Sequence, residues 1–116
     1  MTAPNRILIV EDEPLIAMML EDFVDMLGKS VAGTADSVAT AMKAIEDGGV
    51  EAAILDLNLR GGEKSTPVAA ALSERGIPFV FATGGGDGSV DAAFRDRPCL
   101  QKPFTMDSVE KVLATL

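Results

Sequence analysis

Short apolar segments alternate along this chain with longer segments in which apolar residues recur at helical spacing. The first apolar segment, residues 6–10, is rich in β-branched residues, which is typical of a buried strand. Pro14 then suits the first turn of a helix, and Gly28 suits its end. The same alternation predicts strands at 30–35, 52–55, 78–82 and 98–101, and further helices up to Glu46, up to about Arg75, at 90–94 and after Thr105. We expect Asp36 or Ser37 to cap the second helix, Thr66 the third and Thr105 the last.

Five strands alternating with five helices predict an α/β fold, a doubly wound five-stranded parallel sheet with helices on both faces. The 116 residues have the length of one such domain. We therefore expect a single domain over residues 1–116, in which Leu116 closes the last helix and no output domain follows.

Charge and composition exclude several classes of function. Ten Lys and Arg against eighteen Asp and Glu give a net charge of −8, and no two basic residues are adjacent, so we expect no nucleic-acid partner. No apolar segment is long enough to span a membrane, so we expect no membrane partner either. The single cysteine cannot form an internal disulfide, which fits a reducing cytoplasm. The lack of histidine excludes a histidine base and histidine-based zinc sites.

Polar residues collect where the predicted strands end. Glu11 and Asp12 follow the first strand, Asp56 follows the third, Thr83 the fourth and Lys102 the fifth. Ligands of such sheets bind beyond the carboxyl ends of the strands. We therefore expect these five side chains to converge on one site.

The chemistry of this set points to a cation and a phosphoryl group. Acids after a strand are often only solvated, and for Glu13 we accept that interpretation, but three clustered carboxylates repel unless a cation lies among them. Oxygen ligands without Cys or His suit Mg²⁺. Asp56 can attack phosphorus to form an acyl phosphate, while Lys102 and Thr83 stabilise the phosphoryl oxygens.

Two other features suggest alternatives. The glycine-rich segment 84–88 lacks the residues of a phosphate-binding loop, so we interpret it as a mobile connection. Leu15, Met18 and Met26 extend the apolar surface of the first helix beyond one stripe. We expect core packing for most of them, with a docking patch at Leu15 and Met18 as the alternative.

Segments 7–14, 54–59, 81–84 and 102–104 together resemble the receiver domain of two-component response regulators, over nearly the full chain. The resemblance implies a flavodoxin-like fold of receiver type with Asp56 as the phosphoacceptor. It also implies that Glu11, Asp12 and Asp56 hold Mg²⁺ together with the backbone carbonyl of Asn58.

The same resemblance makes Thr83 the switch hydroxyl and Lys102 the phosphate-contacting lysine, with a cis bond between Lys102 and Pro103. The donor would be a histidine kinase or a histidine phosphotransfer protein, which supplies the missing histidine. Phosphorylation would then move Thr83 and repack the face of the fourth helix, fifth strand and fifth helix. Cys99 departs from the family, which usually has an aromatic residue there, and segment 81–84 resembles a subgroup that lacks this aromatic.

The resemblance implies a stand-alone response regulator that signals through phosphorylation-dependent protein contacts or acts as a relay or phosphate sink. Asn58 and Gly85 flank the hydrolytic water in the family, and their identity leaves the dephosphorylation rate open. We expect a phosphoacceptor signalling domain rather than an enzyme, with at most self-phosphorylation from small donors and autodephosphorylation. The alternatives are a Mg²⁺-dependent aspartyl-phosphate phosphatase, which usually has an acid where this chain has Asn58, and a phosphorylation-independent interaction module.

Overall fold

A computed structural model of the protein describes residues 5–56, 59, 64–83, 99–101 and 105–114. Within these residues the chain forms five strands and four helices. In chain order they are β1 (Arg6–Val10), α1 (Pro14–Met26), β2 (Ser30–Ala35), α2 (Val38–Asp47), β3 (Ala52–Asp56), α3 (Thr66–Glu74), β4 (Phe79–Thr83), β5 (Cys99–Gln101) and α4 (Met106–Leu113). The helix predicted at 90–94 lies outside the described residues.

The strands form one parallel sheet in the order β2-β1-β3-β4-β5. This confirms the α/β class and the parallel sheet predicted from the alternating pattern. β1 and β3 lie in the interior of the sheet, and all five residues of β3 are buried. Strands buried on both faces are nearly continuous apolar runs, which explains the apolar segments of the sequence, and Asp56 is the polar exception at the end of β3.

Helices cover both faces of the sheet. Successive strand residues point to opposite faces, so Leu8, Leu55 and Phe81 enter one core with α2 and α3. Ile9 and Ile54 enter a second core, with α1 and α4. No helix within the described ranges is both long and apolar enough to cross a membrane.

The helix ends agree with the sequence in two cases and differ in two. Thr105 caps α4, as predicted, and Ser37, one of the two predicted candidates, caps α2, each in a reciprocal capping box. The prediction that Thr66 caps α3 is wrong, because Ser65 is the N-cap. Pro67 then falls in the first turn. The N–H groups of a first turn have no acceptor within the helix, so the N–H that proline lacks costs no helical hydrogen bond.

The last helix also ends earlier than predicted. α4 ends at Leu113, which is buried, and Ala114 is its C-cap, so the prediction that Leu116 closes this helix is wrong. Leu113 packs in the core with the sheet, and such packing supplies most of the stability of a helix in a protein. The absence of an output domain stays a prediction.

Candidate functional site

Strand register places the ends of β1 and β3 side by side. Val10 lies opposite Leu55 in the register of the two strands, so Glu11 and Asp56 are the next residues along these neighbouring strands. On the other side of β1, the backbone N–H of Glu11 donates to the carbonyl of Ala35 at 2.9 Å. This hydrogen bond extends the pairing of β1 with β2 by one residue, and it fixes the backbone of Glu11 at the carboxyl edge of the sheet.

The side chains of Glu11, Asp12 and Asp56 meet at this edge. Each offers a carboxylate oxygen, and these oxygens all lie within 4.8 Å of one another. Glu11 is 2 % exposed and Asp56 is 7 % exposed, while Asp12 is half-buried. Three carboxylates this close, two of them out of water, form a ligand set that fits a hard cation such as Mg²⁺. We call these three residues the acidic group.

Glu11 also contacts the start of α1. Its Oε2 accepts a hydrogen bond from the backbone N–H of Glu13 at 3.2 Å. Glu13 is the N-cap of α1, and its carbonyl accepts the first intrahelical bond from the N–H of Ala17 at 2.9 Å. The side chain of Glu11 thus joins the acidic group to the first turn of α1.

The remaining predicted site residues lie on or beyond the neighbouring strands. Asp56 is paired in register with Ala82, so Thr83 at the end of β4 is one position further toward the same edge. Thr83 pairs with Gln101 of β5, the residue before Lys102. Asn58, Lys102 and the Lys102–Pro103 bond lie outside the described residues, and their assigned roles stay predictions.

Cys99, the residue that stands in place of the family's aromatic, begins β5 and pairs with Phe81. Its backbone is part of the sheet next to β4. Gly85 and the rest of the glycine-rich segment lie outside the described residues, so the interpretation of that segment as a mobile connection stays a prediction.

A cleft of about 420 Å³ opens beside the acidic group, and sequence reasoning did not predict it. Its polar lining comprises Glu11 and Asp12 together with Thr34, Asp36 and Thr40, and the start of α1 also contributes lining residues. Thr40 Oγ1 donates to Asp36 Oδ1 at 3.2 Å and accepts the Asp36 backbone N–H, also at 3.2 Å. The rule that functional residues follow strand ends would have found Asp36, had it been applied to β2.

The apolar surface of α1 faces outward. Leu15 is 80 % exposed, Met18 is 57 % exposed and Met26 is 59 % exposed, so the prediction that most of them pack in the core is wrong. The physical reason is helical phase: Ala17, Leu20 and Val24 recur at i, i+3 and i+7 and occupy the face toward the sheet. The other three residues fall on the opposite side of the helix.

Comparison with known proteins identifies the family of this fold. No family model matches the chain. The solution structure of SdrG from Sphingomonas melonis Fr1 superposes with a TM-score of 0.88, at 71 % identity over 98 % of this chain and 97 % of SdrG. The solution structure of the Erythrobacter litoralis PhyR response regulator receiver domain has a TM-score of 0.82 and 30 % identity, covering 97 % of this chain and 88 % of that one. The chain belongs to the receiver domains of response regulators.

The receiver domain also resembles part of a longer relative. It is 34 % identical over 114 residues to the phyllosphere-induced regulator PhyR of Methylorubrum extorquens. The match covers 95 % of this chain and 42 % of that protein, so the chain spans less than half the length of this curated relative. A BeF3-activated conformation of SdrG also superposes on the receiver domain, with a TM-score of 0.85.

Proposed function

We propose that the receiver domain accepts a phosphoryl group on the carboxylate of Asp56, with Mg²⁺ held by the acidic group. The observation that carries the proposal is the meeting of three carboxylates within 4.8 Å at the ends of the interior strands. Asp56 is buried at the end of β3, and a buried carboxylate contributes nothing to an apolar core. Burying its charge costs free energy unless a cation or a polar partner compensates it.

The ligands available at this edge of the sheet suit Mg²⁺. Glu11, Asp12 and Asp56 would hold Mg²⁺, with the backbone carbonyl of Asn58 as the further ligand that the family resemblance implies. Mg²⁺ prefers a few carboxylates and keeps positions for water and phosphate oxygens. When bound, it would neutralise negative charge on the phosphoryl group, and the protein residues position the reacting atoms.

In the transfer step, one oxygen of Asp56 forms a bond to phosphorus while the bond from phosphorus to the donor's imidazole nitrogen breaks. The donor histidine keeps the electron pair of that bond. Lys102 would neutralise charge on the phosphoryl oxygens, and the Thr83 hydroxyl would donate to one of them. The histidine comes from the donor, a histidine kinase or histidine phosphotransfer protein, because the chain contains none.

The phosphorylated domain would act through protein contacts, as an effector, a relay intermediate or a phosphate sink. The added charge would draw Thr83 toward the site and shift a two-state arrangement of the neighbouring elements. The BeF3-activated conformation of SdrG supports this proposal for a relative at 71 % identity. We propose a cytoplasmic location, where such donors have access to the domain.

The decisive experiment is an amide spectrum of the labelled protein with Mg²⁺ and beryllofluoride. We expect shifts at Asp56 and Thr83 in the wild type and none from beryllofluoride in Asp56→Asn. Asp36→Asn is the matched control, because Asp36 is also an acid at a strand end but lies outside the acidic group. An unchanged wild-type spectrum would overturn the proposal, and turnover of a phosphomonoester would favour the aspartyl phosphatase instead.

A further inference from the structure

The first turn of α1 is held differently from those of α2 and α4. In α2 and α4 the N-cap and N3 side chains satisfy each other's backbone N–H groups, through Ser37 with Thr40 and Thr105 with Ser108. These two helices supply their own capping hydrogen bonds, so the capping of their first turns involves no side chain from another element.

α1 does not have this arrangement. Within the described residues, the side chain of its N-cap, Glu13, makes no capping hydrogen bond. The N3 residue is Ile16, whose side chain has no acceptor for the Glu13 N–H. That N–H donates instead to Oε2 of Glu11, at 3.2 Å. The place of the capping-box acid in α1 is therefore taken by a member of the acidic group.

We propose that Glu11 is a positioning residue that couples cation occupancy of the acidic group to the first turn of α1. The inference rests on the proposed cation site. Without a cation, repulsion from Asp12 and Asp56 pushes the Glu11 carboxylate away from the group and strains its contact with Glu13. With the repulsion neutralised, the carboxylate stays where Oε2 meets the Glu13 N–H, and the turn is held more firmly.

The coupling has a consequence for the surface of the domain. The first two turns of α1 present Leu15 and Met18 to solvent. Cation occupancy would therefore change the conformational stability of the turns that carry these two exposed side chains. By thermodynamic linkage, anything that stabilises the turn also raises the affinity of the acidic group for the cation.

Amide hydrogen exchange at Ala17 tests the coupling, because its N–H makes the first intrahelical bond of α1, to the carbonyl of Glu13. Ala41 is the internal reference, since its N–H makes the equivalent bond to Ser37 in the self-capped helix α2, at 3.0 Å. In the wild type, saturating Mg²⁺ should slow exchange at Ala17 by roughly 3- to 10-fold, the effect of one hydrogen bond, and leave Ala41 unchanged.

Two variants separate this role from cation binding in general. Glu11→Gln removes the charge that the cation acts on, so Mg²⁺ should no longer slow Ala17 even at concentrations that saturate the variant. Asp12→Asn removes an equal charge from the acidic group but leaves Glu11 in place, so it should keep the effect once saturated. Both variants remove one negative charge and so reduce the repulsion within the acidic group. Unchanged protection of the Ala41 amide from hydrogen exchange verifies that each variant is folded.

The outcomes are distinct. If Mg²⁺ shifts the Asp56 amide of the wild type but leaves Ala17 unchanged, or if it slows Ala17 as much in Glu11→Gln as in the wild type, the coupling is wrong and the cation site stands. If Mg²⁺ does not shift Asp56 at all, the cation site fails and the coupling fails with it.

Discussion

The carboxylate of Glu51 accepts the backbone N–H of Asn5 at 2.7 Å, a contact between residues 46 positions apart. The same oxygen accepts the N–H of Arg6 at 3.1 Å, and the N–H of Glu51 donates to the carbonyl of Arg6 at 2.9 Å. These bonds join the beginnings of β1 and β3 at the amino edge of the sheet, opposite the acidic group. The Asn5 N–H first, and then the Arg6 N–H, lower the pKa of Glu51 below its ordinary value of 4.5, and burial only partly opposes them.

A lowered pKa makes this contact dependent on pH. Because the folded state holds the proton less tightly than the unfolded state, Glu51 stabilises the fold fully above pH 4.5 and loses that contribution as pH falls through its lowered value. Glu51→Gln should therefore flatten the loss of stability on acidification, measured by urea unfolding across the acid range. Glu46→Gln, at an exposed acid in α2, should leave the wild-type profile intact; equal profiles for both variants would contradict the prediction.

The acidic group should cost stability when no cation is bound. In a chelating buffer, Asp56→Asn should raise the free energy of unfolding by on the order of 1 kcal/mol, because it removes repulsion from Glu11 and Asp12. Mg²⁺ should then stabilise the wild type but not the variant. Urea titrations with and without Mg²⁺ measure both effects, and a variant less stable than the wild type in chelator would show that the three carboxylates do not repel.

The cap of α2 should be worth a measurable share of stability. Ser37 Oγ accepts the backbone N–H of Thr40 at 3.1 Å, so Ser37→Ala leaves that N–H without its partner. We expect a loss of about 1 kcal/mol in the free energy of unfolding. Ser30→Ala is the control, because Ser30 is an exposed serine in β2 rather than a helix cap. Similar losses for the two variants would mean that the capping bond contributes little.

The exposed apolar residues of α1 should matter for a protein donor rather than for stability. Leu15→Ser and Met18→Gln should each change the free energy of unfolding by less than about 0.5 kcal/mol, because both side chains face solvent. Phosphotransfer from a histidine kinase should fall by roughly fivefold or more, because centrally placed apolar contacts dominate binding. Phosphorylation by acetyl phosphate, which needs no docking surface, should be unchanged.

Met26→Gln is the matched control for that prediction. Met26 is 59 % exposed, like Met18, but it is the last residue of α1, at the end away from Glu11 and Asp12. A donor that covers the acidic group would leave Met26 outside its contact. Equal losses for Met18→Gln and Met26→Gln would indicate that the donor binds along the whole helix.

Most elements could be predicted from the sequence because their signals are local. β1 and β2 were predicted with the bounds the structure has, since apolar runs and turn residues lie within the strands or next to them. The cap Thr105, and Ser37 as one of two candidates, were predicted for the same reason. The cap of α3 was misplaced by one residue and the end of α4 by three, because helix boundaries depend on packing against the sheet as well as on the capping residue.

The outward face of α1 could not be predicted from its composition. Leu15, Met18 and Met26 are as apolar as the residues that pack inward, and only the position of the sheet decides which side of the helix is buried. The cleft beside the acidic group was missed for a related reason. Its residues come from the segment after β1, the start of α1, the end of β2 and the start of α2, which the fold brings together at the edge of the sheet.

By itself, the sequence determined the order of strands and helices, and it placed an acid or a polar residue at the end of each strand, because these patterns are read along the chain. Only the tertiary structure decided which strand ends meet. Pairing of β1 with β3 joins residues more than forty positions apart, and it is this pairing that brings Asp56 within 4.8 Å of Glu11 and Asp12.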